Sequence, residues 1–136
     1  MSTSLPPNVR AHLDEAEAHL GRARDHLDTS PPDYSGVTGE VLDSFRASLV
    51  AFLLGYGATP DPDAPLDALA ERAVRNDSVL KTAVNRALVF AERAPDIEQS
   101  SEPSVSDRED VETGWYTARN LLQTVERRLA TGLPAQ

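Results

Sequence analysis

His12, His19 and His26 are the only histidines in this chain of 136 residues, and they stand seven positions apart. On a helix that spacing puts the three rings close to one line, and metal ligation is the chemistry such a line suggests. Seven residues rise roughly 10 Å, however, so two rings of one helix cannot share an ion. A site would need acidic ligands from elsewhere or from a second subunit. Each histidine directly precedes a leucine of an apolar stripe, so the sequence reads the three as edge positions that travel with a heptad, and no metal set is assigned.

The arginines offer a second candidate. Arg75, Arg86 and Arg93 are separated by eleven and seven residues, close to whole numbers of helical turns, with Arg72 nearby. In an unbroken helix they would share one face and could receive a phosphate or an acidic partner through forked, charge-assisted hydrogen bonds. Glu71, Asp77 and Glu92 interleave with them, which equally describes a solvated face with surface ion pairs. A break at Asn76 would dissolve the stripe. No glycine-rich phosphate loop, nucleophile motif or paired-carboxylate motif accompanies these residues, so no catalytic set and no cofactor are expected.

Several elements must position these side chains. Pro6 and Pro7 suit a first helical turn, and Val9, Leu13, Ala16, Leu20, Ala23 and Leu27 alternate spacings of four and three. A turn over 29–36 leads to the most apolar stretch, Val41 to Gly57, in which Leu42, Phe45, Leu49, Phe52, Leu53 and Tyr56 recur at helical spacing and little polar remains after Ser48. Such a helix is one that its neighbours surround, so it is taken as the centre of the fold, capped by Ser35 or Thr38 and ended at Gly55 and Gly57.

Residues 58–65 read as a rigid connection, with Asp63 as cap of a helix that buries Leu66, Leu69, Ala70, Ala73 and Val74. Asn76, Asp77 and Ser78 compete with helical backbone bonding, which predicts a break. The period resumes through Val79, Leu80, Ala83, Val84, Ala87, Leu88 and Ala91, and Pro95 is expected to stop it. Residues 95–106 read as a mobile loop. Ser106 and Glu109 fit a capping box, opening a last helix with Val111, Trp115, Ala118, Leu122, Val125 and Leu129 on one stripe and Leu121 beside it. The shared four-three rhythm of the first and last helices predicts that they pack side by side. The expectation is one all-α domain over 1–136, core about 9–130: an up-and-down bundle of four to five helices.

The totals bound the function. A net charge of -9 repels phosphate backbones, so nucleic acid is a disfavoured partner. The absence of cysteine removes disulfides and thiolate chemistry. The opening residues, MSTSLPPNVR, lack an apolar signal core, and Asp43 and Arg46 interrupt the central run, so a soluble, cytoplasmic protein is expected.

The order of these helices resembles the HEPN family, the higher eukaryotes and prokaryotes nucleotide-binding domain, across Val9 to Leu129. The resemblance is carried by the Ala- and Leu-rich first helix, by SLVAFLLGYG at Ser48 to Gly57, by Leu66 and Leu69, by Arg93-Ala94-Pro95-Asp96 and by the last helix with Ala118. It implies a helical bundle, a tendency to form homodimers and partnership with small nucleotidyltransferases. Family members that cleave RNA carry an Arg followed after four to six residues by a His. Here Arg75-Asn76 opens in that style but reaches Leu80, Lys81 and Thr82. Val50 stands where the family often has a Lys, and Ala64-Pro65 where it has His-Asp before the leucine pair. The expectation is therefore a non-catalytic HEPN-like module that binds a partner protein or an anionic ligand such as a nucleotide, as a homodimer, through Arg72, Arg75, Arg86 and Arg93. The alternatives are a ribonuclease with an altered site built on Arg75 and Lys81, and a purely structural helical partner.

Overall fold

The computed structural model describes residues 5–100 and 104–131. Five helices account for most of them, with no strand among the described residues: α1 (Pro7–Leu27), α2 (Tyr34–Gly55), α3 (Leu66–Asn76), α4 (Lys81–Glu98) and α5 (Val105–Ala130). One 3-10 turn, Ser78–Leu80, joins α3 to α4. This is the all-α bundle that the periodicity predicts. No helix among the described residues is long and apolar enough to cross a membrane.

α2 is the centre. It packs against α1, α3, α4 and α5, whereas α1 and α4 do not meet and lie on opposite sides of the α2/α5 pair. Phe45, Phe52, Leu49 and Leu53 are at most 1 % exposed, so this helix is enclosed on nearly every side. Side-chain pairs fix the directions. Ser44 donates to the Ala16 carbonyl while His19 meets Glu40, so α1 and α2 run antiparallel. Thr38 donates to Glu98 and Phe45 meets Phe90 edge-on, so α2 and α4 also oppose each other. Up-and-down connectivity follows.

All six stripe residues of α1 are buried. α1 and α5 also touch, and the Trp115 indole of α5 donates to the Leu20 carbonyl at 2.9 Å. Trp115 therefore keeps its polar edge bonded while its ring is only half-buried, between the guanidinium groups of Arg24 and Arg119.

The helix ends depart from expectation in four places. α2 starts before Ser35 because Asp33 is its cap, accepting from the Gly36 amide at 2.9 Å. α3 follows Pro65 with no side-chain cap, and Asp63 does not serve as one. Pro95 does not stop α4, which continues to Glu98, because burial of Ala94 and Ile97 outweighs one lost backbone bond. Six residues of the expected 95–106 loop are thus helical, four in α4 and two in α5, and 101–103 lie outside the described residues. The capping box of α5 is Ser104 with Asp107, reciprocal at 3.1 and 3.0 Å, not Ser106 with Glu109.

At the other end of α2, Gly57 takes φ +81°. Its amide bonds Leu54 while that of Ala58 bonds Leu53, the paired closure of a left-handed helix stop. The predicted break at Asn76 is present. Asp77 leaves helical geometry and its carboxylate accepts from the Val79 amide, opening the 3-10 turn.

Candidate functional site

α4 and α5 pack against each other along a seam. Gly114 of α5 faces the Phe90 ring, and any Cβ there would overlap it. Phe90 can therefore lie between the helices as the floor of an open groove of about 640 Å3, whose walls include Asn85, Arg86, Val89, Asp110, Thr113 and Thr117. A second cleft of about 330 Å3 continues it past Arg86 toward Val79, Asn120, Thr124 and Arg127. Arg86 and Thr117 line both, so the two form one trough along the α4/α5 seam. Val89 is 67 % and Val79 58 % exposed, leaving apolar surface on the α4 wall. The hydroxyls of Thr117 and Thr124 are bonded to carbonyls of their own helix, at Thr113 and Asn120.

Charge in this trough is sorted by position. Glu92, Asp96 and Asp110 lie at the end nearest the α4 C-terminus, with Arg93 among them. Arg93 bonds Asp110 at 3.0 Å and lies 3.6 Å from both Asp96 and Asp107, so its charge is answered locally. At the other end stand Arg86 and Arg127, and no carboxylate is among the residues lining that cleft. Neither has an ion-pair partner among the described residues; Arg127 has only the Thr124 hydroxyl at 3.5 Å.

Of the four arginines singled out in the sequence, two share this trough. Arg72 and Arg75 belong to α3, across the break at Asp77, and neither lines it. The four-residue face that an unbroken helix would make is therefore absent. Arg75 is bonded to Glu71 at 2.6 Å. Arg127 joins Arg86 from α5, and nothing in one helix reveals what the next lays beside it.

The histidine line also acquires neighbours from another helix. His19 Nδ1 is 2.7 Å from Glu40, Arg22 donates to the second Glu40 oxygen at 2.8 Å, and His19, Glu40 and Asp43 could offer donor atoms within 4.8 Å of one another. These are the acidic partners that a metal would require. Arg22 already supplies a cation to the same carboxylate, however, and its Nη2 lies 2.9 Å from His19 Nδ1. Burial pushes the Glu40 pKa up, but the hydrogen bonds from His19 and Arg22 and their charge more than offset it, holding the carboxyl below its ordinary range. The cluster is a closed ion network that ties α1 to α2.

A third polar group lies under the α3/α4 break. Asp77 is buried, with Arg128 Nε at 2.6 Å and the Tyr56 hydroxyl donating at 3.2 Å, so one carboxylate joins α2, α5 and the break. Burial raises the Asp77 pKa and bonding to Arg128, Val79 and Tyr56 lowers it, with a net decrease. Burial and the adjacent Asp77 charge push the Tyr56 phenol up. All three groups are satisfied by one another, as a staple requires.

Comparison of the chain with protein-family models, with curated proteins and with solved structures found no match.

Proposed function

We propose that this chain is a non-catalytic, HEPN-like helical binding module that takes an anionic group of a partner at the basic end of the α4/α5 trough. The observation that carries the reading is the pairing of Arg86 with Arg127 along a cleft whose lining contains no carboxylate. In a chain of net charge -9, two guanidinium groups without an internal carboxylate stand out against the general field. Beside them, Val89 and Phe90 supply apolar contact that would favour a ligand with an uncharged body. The HEPN-like part of the reading rests on the sequence resemblance across Val9 to Leu129, and the all-α bundle around α2 is compatible with it.

Titration calorimetry at low salt tests it, with ATP, GTP, a short RNA and a poly-glutamate peptide as probes. Binding heat from at least one of them, reduced at least tenfold in affinity by Arg86→Ala, is the expected result. The absence of heat from all four would overturn the reading.

A further inference from the structure

The chemistry of the trough narrows what can bring an anionic group to Arg86 and Arg127. Sites that select phosphate commonly aim free backbone amides at it from the first turn of a helix. Arg86 and Arg127 stand inside α4 and α5, where amides bond within the helix, and at the head of the α4 wall the amides of Val79 and Leu80 are bonded to Asp77. Thr117 and Thr124 have committed their hydroxyl protons to carbonyls of α5. A nucleobase also lacks a stacking platform. Phe90 is only 6 % exposed, and neither Trp115 nor the exposed Tyr116 is among the lining residues.

The exposed apolar surface is aliphatic instead. Val79 and Val89 stand seven residues before Arg86 and three after it, so on the α4 wall the guanidinium lies between two apolar steps. Arg127 faces the same cleft from α5. Toward the other end Arg93 is already answered, but Glu92, roughly 9 Å beyond Arg86 along α4, is exposed and has no ion-pair partner among the described residues. A matching ligand carries carboxylates at one end, aliphatic groups along its middle and a cation at the other, over about 20 Å from Val79 to Glu92. A helix supplies such a face through residues three, four and seven apart, and a seam between two packed helices is a groove in which a third can lie.

We propose that the α4/α5 trough seats an amphipathic helical segment of a different protein, with its carboxylates on Arg86 and Arg127, aliphatic side chains on Val79 and Val89, and a lysine or arginine at Glu92. The proposal rests on the trough being the binding face and names the class of ligand it takes. Charge complementarity sets the direction of the helix. In a chain of net charge -9 an acidic end is repelled by most of the surface and steered to the one cleft that has two arginines and no lining carboxylate. With few apolar contacts and charges at its rim, the complex is weak and sensitive to salt.

Fluorescence anisotropy at low salt tests it with a labelled helix-forming peptide of about 14 residues, bearing two glutamates one turn apart near one end, leucines in the middle turns and a lysine two turns beyond the glutamates. A scrambled peptide of the same composition keeps the charge and loses the face. The parent protein should bind the ordered peptide at least tenfold more tightly than the scrambled one. Arg86→Glu and Arg127→Ala should each weaken that binding at least tenfold, and a peptide with lysines in place of both glutamates should bind Arg86→Glu more tightly than it binds the parent. Both arginines are exposed, and circular dichroism should give unchanged helicity for the variants.

Equal affinity for the ordered and scrambled peptides, or binding indifferent to both arginine changes, overturns the proposal. Arg86-dependent binding of ATP, RNA or poly-glutamate with no preference for the ordered peptide would end the helix while leaving the anion-binding reading intact. Failure of every probe to bind would remove both.

Discussion

The α1/α2 seam and the α4/α5 trough are built from similar side chains with opposite outcomes. In the seam, Glu40 receives His19 and Arg22, and His26 lies 3.3 Å from Asp33, so charge on one helix is answered by the other. In the trough, Arg93 is answered by Asp96, Asp107 and Asp110 at one end, whereas Arg86 and Arg127 at the other have no ion-pair partner among the described residues, with Val89 exposed nearby. A surface whose charges are already paired gains little by adding a partner, because each new contact must first break an old one. Arg86 and Arg127, whose cleft has no carboxylate among its lining residues, can gain one only from a bound group. That difference, rather than any single residue, is the ground for proposing the trough as the binding face.

The largest expected effect comes from removing the support beneath the trough. Phe45 is fully buried and meets Phe90 edge-on at 6.1 Å between ring centres. Phe45→Ala should cost about 3–5 kcal/mol, and Leu53→Ala, on the same helix, about 2–5 kcal/mol, in equilibrium urea unfolding. Near-zero losses at both positions would mean that α2 is not the enclosed centre.

Next is the Asp77 staple. The folded-state pKa of Asp77 is lowered, so its contribution is fully present above the unfolded value of about 3.9 and is lost as pH falls through the folded value. Asp77→Asn should therefore cost about 1.5–3 kcal/mol at pH 7 and show a shallower loss of stability than the parent below pH 4. Identical acid limbs for the two proteins would count against the staple.

The smallest stability effects sharpen the comparison itself. Glu40→Gln should cost about 1 kcal/mol or less, since Arg22 is half exposed and the network is partly screened, and should leave binding of the anionic probes unchanged. Val89→Ala should alter stability by no more than about 0.5 kcal/mol yet weaken that binding. Equal effects of the two changes on binding would erase the distinction between seam and trough.

The bundle was legible in the sequence wherever one helix supplies its own evidence. The α1 stripe is buried at all six positions because a long run of four-three spacings admits only one inward face. The break at Asn76 could be read because Asp77 bonds its own neighbouring backbone. The face of α4 was harder. Its buried positions are Val84, Ala87, Phe90, Ala94 and Ile97, whereas the sequence period had included Val79, which is exposed, and had passed over Phe90. Phe90 reaches inward only because Gly114, twenty-four positions later, leaves room for its ring.

The site was legible only in half. Arg86 and Arg93 stood out by spacing on one helix, but Arg93 is occupied by three aspartates and the companion of Arg86 is Arg127, from α5. Pairings of that kind are made by packing, and no periodicity within a single helix encodes them.

The most direct test of the account is methyl NMR during titration with the anionic probes at low salt. The Val79 and Val89 methyl signals should shift progressively with added probe, while those of Val37 and Val41, buried in α2, stay fixed. Valine signals of the trough that are invariant throughout with every probe would contradict the proposal that this face takes an anionic group.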